Sequence, residues 1–86
     1  MTYVPDRFAC LCCGYLTRPR EMPGSFDICP VCRWEDDNLQ FDDPSYAGGA
    51  NRVSLNEAKE NYAAYGAKSR EVVPHARLPL PSERPG

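Results

Sequence analysis

Two short cysteine turns decide the fold of this chain: Cys10-Leu-Cys-Cys13 near the N-terminus and Cys29-Pro-Val-Cys32 further along. In each turn two residues separate the outer cysteines, and fifteen residues separate Cys13 from Cys29. This C-x2-C-x15-C-x2-C spacing is typical of zinc sites, because a tight turn places both of its sulfurs on one side of the backbone. The sequence therefore predicts one zinc ion in a closed tetrahedron of four thiolates, from Cys10, Cys13, Cys29 and Cys32.

The length and composition of the chain favour such a metal staple. Its 86 residues allow one domain with a thin core, and domains of this size often need a disulfide, a metal or a partner for stability. The net charge is −2, and no apolar run approaches the roughly 20 residues of a membrane span. The first residues do not resemble a signal peptide, so we expect a cytoplasmic location. In that reducing compartment five cysteines favour four metal ligands and one spare thiol over disulfides.

Around the two turns the sequence predicts a ribbon over about residues 8–45. An extended lead-in over residues 1–7 precedes it. Strand-forming residues at 15–17 and 26–28 predict an antiparallel hairpin, with one cysteine turn at the start of one strand and the other at the end of its partner. A third short strand is predicted at Leu39-Gln-Phe41, and residues 42–51 are predicted to form a loop.

A helix is predicted over about residues 54–66. Ser54 and Glu57 form a capping-box pattern at its start, and Gly66 stands where a helix commonly ends. Between these ends the apolar positions recur with helical spacing, at Leu55, Ala58, Tyr62 and Tyr65. So short a helix is unstable alone in water, and we expect Tyr62 and Tyr65 to pack it against the hairpin.

Four prolines follow the helix, at positions 74, 79, 81 and 85, and predict an extended tail over about residues 72–86. The predicted fold class is thus a small metal-stabilised α+β domain, one unit over residues 1–86. It consists of a zinc-ribbon or rubredoxin-like β-hairpin with two cysteine knuckles, one C-terminal helix and the proline-rich tail.

Two further side chains are of types that bind metals, but their positions argue against a ligand role. Cys12 lies between Cys10 and Cys13, too close to either for a second knuckle, and we expect its side chain to point away from the metal. The other interpretation of Cys12 is a redox-active or alternate ligand. His75, the single histidine, lies in the proline-rich tail, which argues against a ligand role.

Three blocks of sequence resemble the bacterial cysteine-rich CPCC family: CLCCGYLT at 10–17, PGSFDICPVCRWEDD at 23–37 and GGANRVSLNEAKENY at 48–62. The resemblance covers about residues 8–80. The family is defined by its sequence pattern, so the resemblance implies a zinc-ribbon-like domain without specifying an activity. The match also suggests that Trp34 packs beside the metal site or under the helix, which we favour over a binding role for it. Leu11 departs from the pattern, which has proline there, and the departure leaves both ligand pairs in place.

Negative charge is concentrated after the second cysteine turn. Residues 34–51 contain five acidic residues and no Lys or Arg: Glu35, Asp36, Asp37, Asp42 and Asp43. One interpretation is a solvated acidic loop, and the other is a docking surface for a basic protein partner. A calcium loop is disfavoured because the glycine and distal glutamate of an EF-hand are missing.

The leading functional prediction is a zinc-stabilised module that binds another protein through this acidic surface. Nucleic acid is a less favoured partner, because the basic residues are scattered and form no stripe for phosphates. A rubredoxin-like iron electron carrier is the second hypothesis, since four thiolates suit either metal. Against iron, Arg33 stands where rubredoxin-like turns usually have glycine. No Cys/His pair or Ser/His/Asp set can be assembled, so we expect no enzymatic activity.

Overall fold

The computed structural model describes residues 7–85, so almost all of the predicted lead-in over residues 1–7 lies outside the described residues. These residues form strands β1 (Phe8–Ala9) and β2 (Leu16–Arg18), helices α1 (Asn38–Asp42) and α2 (Leu55–Tyr65), and 3-10 helices at Arg70–His75 and Pro81–Glu83. Within this part of the chain, no helix is long and apolar enough to cross a membrane.

Each cysteine turn lies at the tip of its own hairpin. In the first hairpin (residues 8–18) β1 pairs antiparallel with β2. In the second (residues 26–36) an isolated bridge joins Ile28 to Glu35, and the N–H of Phe26 donates to the carbonyl of Asp36 at 2.9 Å. The predicted pairing of residues 15–17 with 26–28 is therefore wrong. Each cysteine turn is itself a tight chain reversal, which brings its own flanking residues together.

The two turns repeat one hydrogen-bonding pattern. The N–H of the first cysteine donates to the carbonyl five residues on, at 2.8 Å in the first turn and 2.9 Å in the second. The N–H after the last cysteine donates back to the first cysteine's carbonyl, at 2.9 and 2.8 Å. The donors of this second bond, Gly14 and Arg33, have φ angles of 83° and 73°. Arg33 adopts a left-handed conformation that favours glycine, so the second turn is held in shape against a local cost.

Helix α1 replaces the third strand predicted at residues 39–41, and that prediction is wrong. Asp37 is the N-cap, and its Oδ1 accepts the N–H of Leu39 at 2.8 Å. An aspartate in this position satisfies an otherwise unpaired N–H of the first turn and so favours helix over strand. The short helix points Gln40 into the interior, where it is completely buried.

Gln40 and Asn51 organise the loop between the two α-helices. The amide nitrogen of Gln40 donates to three loop carbonyls at 2.9 to 3.1 Å, those of Tyr46, Asn51 and Val53. The Nδ2 of Asn51 donates to Gln40 Oε1 at 2.9 Å. These bonds satisfy backbone carbonyls that would be costly to bury unpaired, and they fix a loop that has no regular secondary structure.

Helix α2 begins and ends where the sequence predicts. The Oγ of Ser54 accepts the N–H of Glu57 at 3.1 Å, which is one half of the capping box. The reciprocal bond from the Ser54 N–H to the Glu57 side chain is not among the hydrogen bonds of residues 7–85. At the other end Gly66 is left-handed with φ 84°, and its N–H donates to the carbonyl of Tyr62.

The apolar stripe of α2 faces the cysteine turns. Leu55 and Ala58 are buried, and the ring of Tyr62 packs edge-on against Tyr15 of the first hairpin, with centroids 6.3 Å apart. Tyr65 is not among the residues packed against the core cluster. The guanidinium of Arg70 lies over its ring, 4.6 Å from the centroid.

Among the described residues the main buried cluster is small, and half of its buried members are cysteines. It contains Cys10, Cys12, Cys29, Cys32, Val31, Trp34, Leu55 and Ala58. Trp34 is 1% exposed and lies in the same cluster as the cysteines and α2, as the sequence predicts. So little apolar surface is a weak source of stability, which is why the chemistry of the cysteines matters for the fold.

The proline-rich tail is only partly extended. Residues 72–75 and 81–83 belong to 3-10 helices, so the prediction of an extended course is wrong for them. Ala76 and Leu80 have extended, polyproline-like dihedral angles. Proline is compatible with the first turn of a 3-10 helix, where its missing N–H is not needed, and Pro81 occupies that position.

We expect Ser54→Ala to lower the free energy of unfolding of the metal-loaded protein by about 1 kcal/mol, because the Glu57 N–H loses its acceptor. Denaturant unfolding followed by circular dichroism measures the change. Ser82→Ala is the control, since Ser82 is exposed and its hydroxyl makes no hydrogen bond within residues 7–85. Equal midpoints for the two variants would contradict the capping role.

Candidate metal centre

The two hairpins bring four cysteine sulfurs together. The Sγ atoms of Cys10, Cys13, Cys29 and Cys32 all lie within 4.8 Å of one another. Cys10 faces Cys32 at 3.6 Å, and Cys13 faces Cys29 at 3.8 Å. Each close pair joins one turn to the other, so the sulfurs interleave across the gap between the hairpins.

These distances suit a tetrahedral metal ion and not disulfides. With metal–sulfur bonds of about 2.3 Å, the sulfurs of a regular tetrahedron lie roughly 3.8 Å apart. The two close pairs are near this value. A disulfide needs about 2.05 Å, and all five cysteines of the chain are free. The four residues predicted from spacing are therefore brought into an arrangement that could hold a metal ion.

Most of this cluster is shielded from water. Cys10, Cys29 and Cys32 are at most 5% exposed, while Cys13 is half-buried. A closed set of four protein ligands leaves no position for water or substrate, and this is the character of a structural site. The half-buried thiol marks Cys13 as the ligand nearest to solvent.

The four thiols lie close enough together to shift one another's pKa values. Hydrogen bonds from the thiols of Cys10, Cys13 and Cys32 lower the pKa of Cys29. The same crowding raises the pKa of Cys32, through its contacts with Cys10, Cys12 and Cys13. Four negative sulfurs cannot share this space unless a cation or shared protons offset their repulsion. A bound metal cation would supply that compensation, and its binding would release thiol protons.

Thr17 adds a polar contact to the sulfur cluster that the sequence did not reveal. Its Oγ1 donates a hydrogen bond to Cys29 Sγ at 3.0 Å. Thr17 lies on β2 of the first hairpin, whereas Cys29 belongs to the second, so this bond also joins the two. A threonine in a short strand carries no sequence signal for such a contact, because the partner depends on how the hairpins face each other.

Cys12 and His75 lie outside the cluster of four. Cys12 is 8% exposed and belongs to the buried core, although its Sγ is not one of the four that converge. His75 is exposed at the end of a 3-10 helix.

The acidic residues do not form one exposed surface. Asp36 and Asp37, 1% and 2% exposed, are buried, so the prediction that they lie exposed is wrong. Asp36 Oδ2 accepts the N–H groups of Gly24 and Ser25 at 3.2 Å. Arg18 lies 3.8 Å from the same oxygen.

Asp37 has a similar internal role. Besides capping α1, its Oδ2 accepts the N–H of Ala50 at 2.8 Å. Gly49 packs so closely here that a Cβ atom would lie 2.5 Å from Asp37 Oδ2. The two aspartates therefore order loops of the protein itself. The sequence did contain one signal for the role of Asp37, because an aspartate directly before a short segment of polar and apolar residues is a common helix N-cap.

The remaining acidic residues are more accessible. Asp42 and Asp43 are exposed and Glu35 is half-buried. Asp43 Oδ1 accepts a hydrogen bond from the hydroxyl of Ser45 at 2.7 Å. Of the five predicted docking residues, only Asp42 and Asp43, at the end of α1, are fully exposed.

We expect Cys13→Ser to lose the metal and Cys12→Ser to keep it. Both substitutions are isosteric and adjacent, but only Cys13 contributes a sulfur to the cluster of four. Metal content of the purified variants, measured by inductively coupled plasma mass spectrometry, tests this. Retention in Cys13→Ser with loss in Cys12→Ser would overturn the ligand assignment.

We expect Thr17→Val to weaken metal binding about tenfold, because Cys29 loses a hydrogen bond that stabilises its charged form. Thr17→Ser retains the hydroxyl and should bind like the parent protein. Competition with a chromogenic chelator measures both affinities. If valine and serine behave alike, the hydroxyl has no part in metal binding.

Comparison with known proteins agrees with this cluster. No curated protein matches the chain. The family model described as "Cysteine-rich CPCC" matches residues 8–83, which include both cysteine turns, both α-helices and the two 3-10 helices. This chain belongs to the cysteine-rich CPCC family.

Proposed function

We propose that this protein is a zinc-binding structural module with a zinc-ribbon-like metal centre. The observation that carries the proposal is the convergence of four free thiols, two from each hairpin, all within 4.8 Å of one another. Zinc suits such a site because it accepts four thiolates without a redox change or an open position. Bound zinc would fix the two hairpins relative to each other.

The energetics support a structural role for the metal. Zinc binding to small four-ligand sites is worth roughly 10–16 kcal/mol at neutral pH, which equals or exceeds the net stability of most domains. The apolar core of this chain is too small to replace that contribution. We therefore infer that folding and metal binding occur together. The same four reduced thiols support a reducing, cytoplasmic location.

The activity we propose is the binding of a metal ion, and not catalysis. Four protein ligands would occupy every coordination position of a tetrahedral metal ion, which leaves none for a substrate. His75 lies outside the sulfur cluster. No partner surface forms part of the proposal, because Asp36 and Asp37 are buried and the acidic segment is divided between internal and exposed roles.

Iron is the second candidate metal, and the backbone conformation of the second cysteine turn is compatible with it. Rubredoxin-like turns usually have glycine after the last cysteine, and Arg33 was an objection to iron. Arg33 nevertheless has the φ angle of 73° that glycine would supply, so the two turns have the same backbone form. The backbone therefore gives no reason to reject iron.

Metal analysis of protein purified under reducing conditions tests the proposed function. We expect one zinc per chain, and we expect removal by a strong chelator to abolish the native circular dichroism and NMR dispersion. Cys12→Ser is the control, because it removes a thiol that is not one of the four in the cluster and should therefore keep the metal. Red protein with one iron per chain would replace zinc by an electron-transfer site, and protein that folds normally without metal would refute the structural role.

A further inference from the structure

The chain that follows α2 returns to the second cysteine turn at two points. The N–H of Lys68 donates to the carbonyl of Cys32 at 2.9 Å, and the N–H of Arg77 donates to the carbonyl of Val31 at 3.2 Å. Both acceptors lie inside the turn that carries two of the four ligand sulfurs. Residues 68 and 77 are therefore both attached to that turn.

Beyond Arg77 the chain closes on itself. The guanidinium of Arg77 donates to both carboxylate oxygens of Glu83, each at 2.8 Å. Glu83 Oε1 also accepts the N–H of Leu80 at 2.8 Å. This bidentate pair fixes the 3-10 helix Pro81–Glu83 relative to Arg77, and therefore relative to the second turn.

The closed segment then reaches the other hairpin. The 3-10 helix Pro81–Glu83 packs against β2 of the first hairpin. Leu80 and Glu83 line one groove of about 750 Å³ together with Leu16 and Thr17 of β2. Thr17 is the residue whose hydroxyl contacts the ligand sulfur of Cys29.

We propose that residues 68–83, the C-terminal strap, are a second clamp across the two hairpins that slows the loss of the metal. The inference rests on the proposed function. Each hairpin supplies two ligands, so a metal ion leaves when the hairpins separate. The strap is bonded to the second turn and packed on β2, so it opposes the same separation. Full opening of the site requires the strap to detach from one hairpin.

The Arg77–Glu83 pair is the part of the strap that can be altered without touching a ligand. We expect Arg77→Ala and Glu83→Gln each to speed transfer of zinc to excess chelator by about 2- to 5-fold, the range that ion pairs at a protein surface commonly contribute. Zinc content at the start should stay at one per chain. Stopped-flow absorbance of a chromogenic chelator gives the rates in the full-length, zinc-loaded protein.

Arg84→Ala is the matched control, because it removes the same charge one residue beyond the strap. Arg84 is exposed, and its side chain makes no hydrogen bond or ion pair among the described residues. We expect it to release zinc at the parent rate. Equal rates for Arg77→Ala and Arg84→Ala would overturn the clamp, since charge alone would then account for any change.

The double variant Arg77→Ala/Glu83→Gln gives an independent check. If the two side chains act as one fastening, the double variant releases zinc no faster than either single variant. Fully multiplicative acceleration would show that they act separately and would overturn the mechanism. Parent protein that contains no metal would instead refute the proposed function, and metal analysis reveals that before any rate is measured.

Discussion

Four sulfur atoms that must meet at one place constrain the rest of this structure. Each cysteine turn can direct its own two sulfurs to one side, but neither can complete a tetrahedron alone. The two hairpins must therefore face each other, with sulfurs interleaved at 3.6 and 3.8 Å. The short strands are consequences of the turns, since each flanking pair of segments is brought together by the reversal at its tip.

Polar contacts perform much of the work that an apolar core performs in a larger domain. Asp36, Asp37, Gln40 and Asn51 are all buried, and their side chains bind the backbone of the loops around them. Such contacts depend on direction, so they fix loops that lack regular structure. A buried amide side chain that donates hydrogen bonds to several carbonyls also restricts the surrounding loop to fewer conformations than an apolar side chain of the same size does.

The sequence predicted what depends on local chemistry. Cysteine spacing predicted the four sulfurs that converge, and Ser54 with Gly66 predicted both ends of α2. The prediction was wrong where the outcome depends on non-local contacts, or where a helix-capping residue outweighs a strand-like composition. Residues 39–41 look like a strand by composition, yet the carboxylate of Asp37 caps them as a helix. Charge counting likewise could not show that Asp36 faces inward to the N–H groups of residues 24 and 25.

The small core of thiols and amides affects how stability should vary with temperature. Exposure of apolar surface raises the heat capacity of the unfolded state, and exposure of polar surface lowers it. Within residues 7–85, the cluster of buried hydrophobic residues contains, apart from its cysteines, Val31, Trp34, Leu55 and Ala58. Its heat-capacity change on unfolding is consequently small for a chain of this length. The stability curve is then broad and shallow. Under the proposed function, the thermal limit would follow the retention of metal by the thiolates more than the melting of an apolar interior.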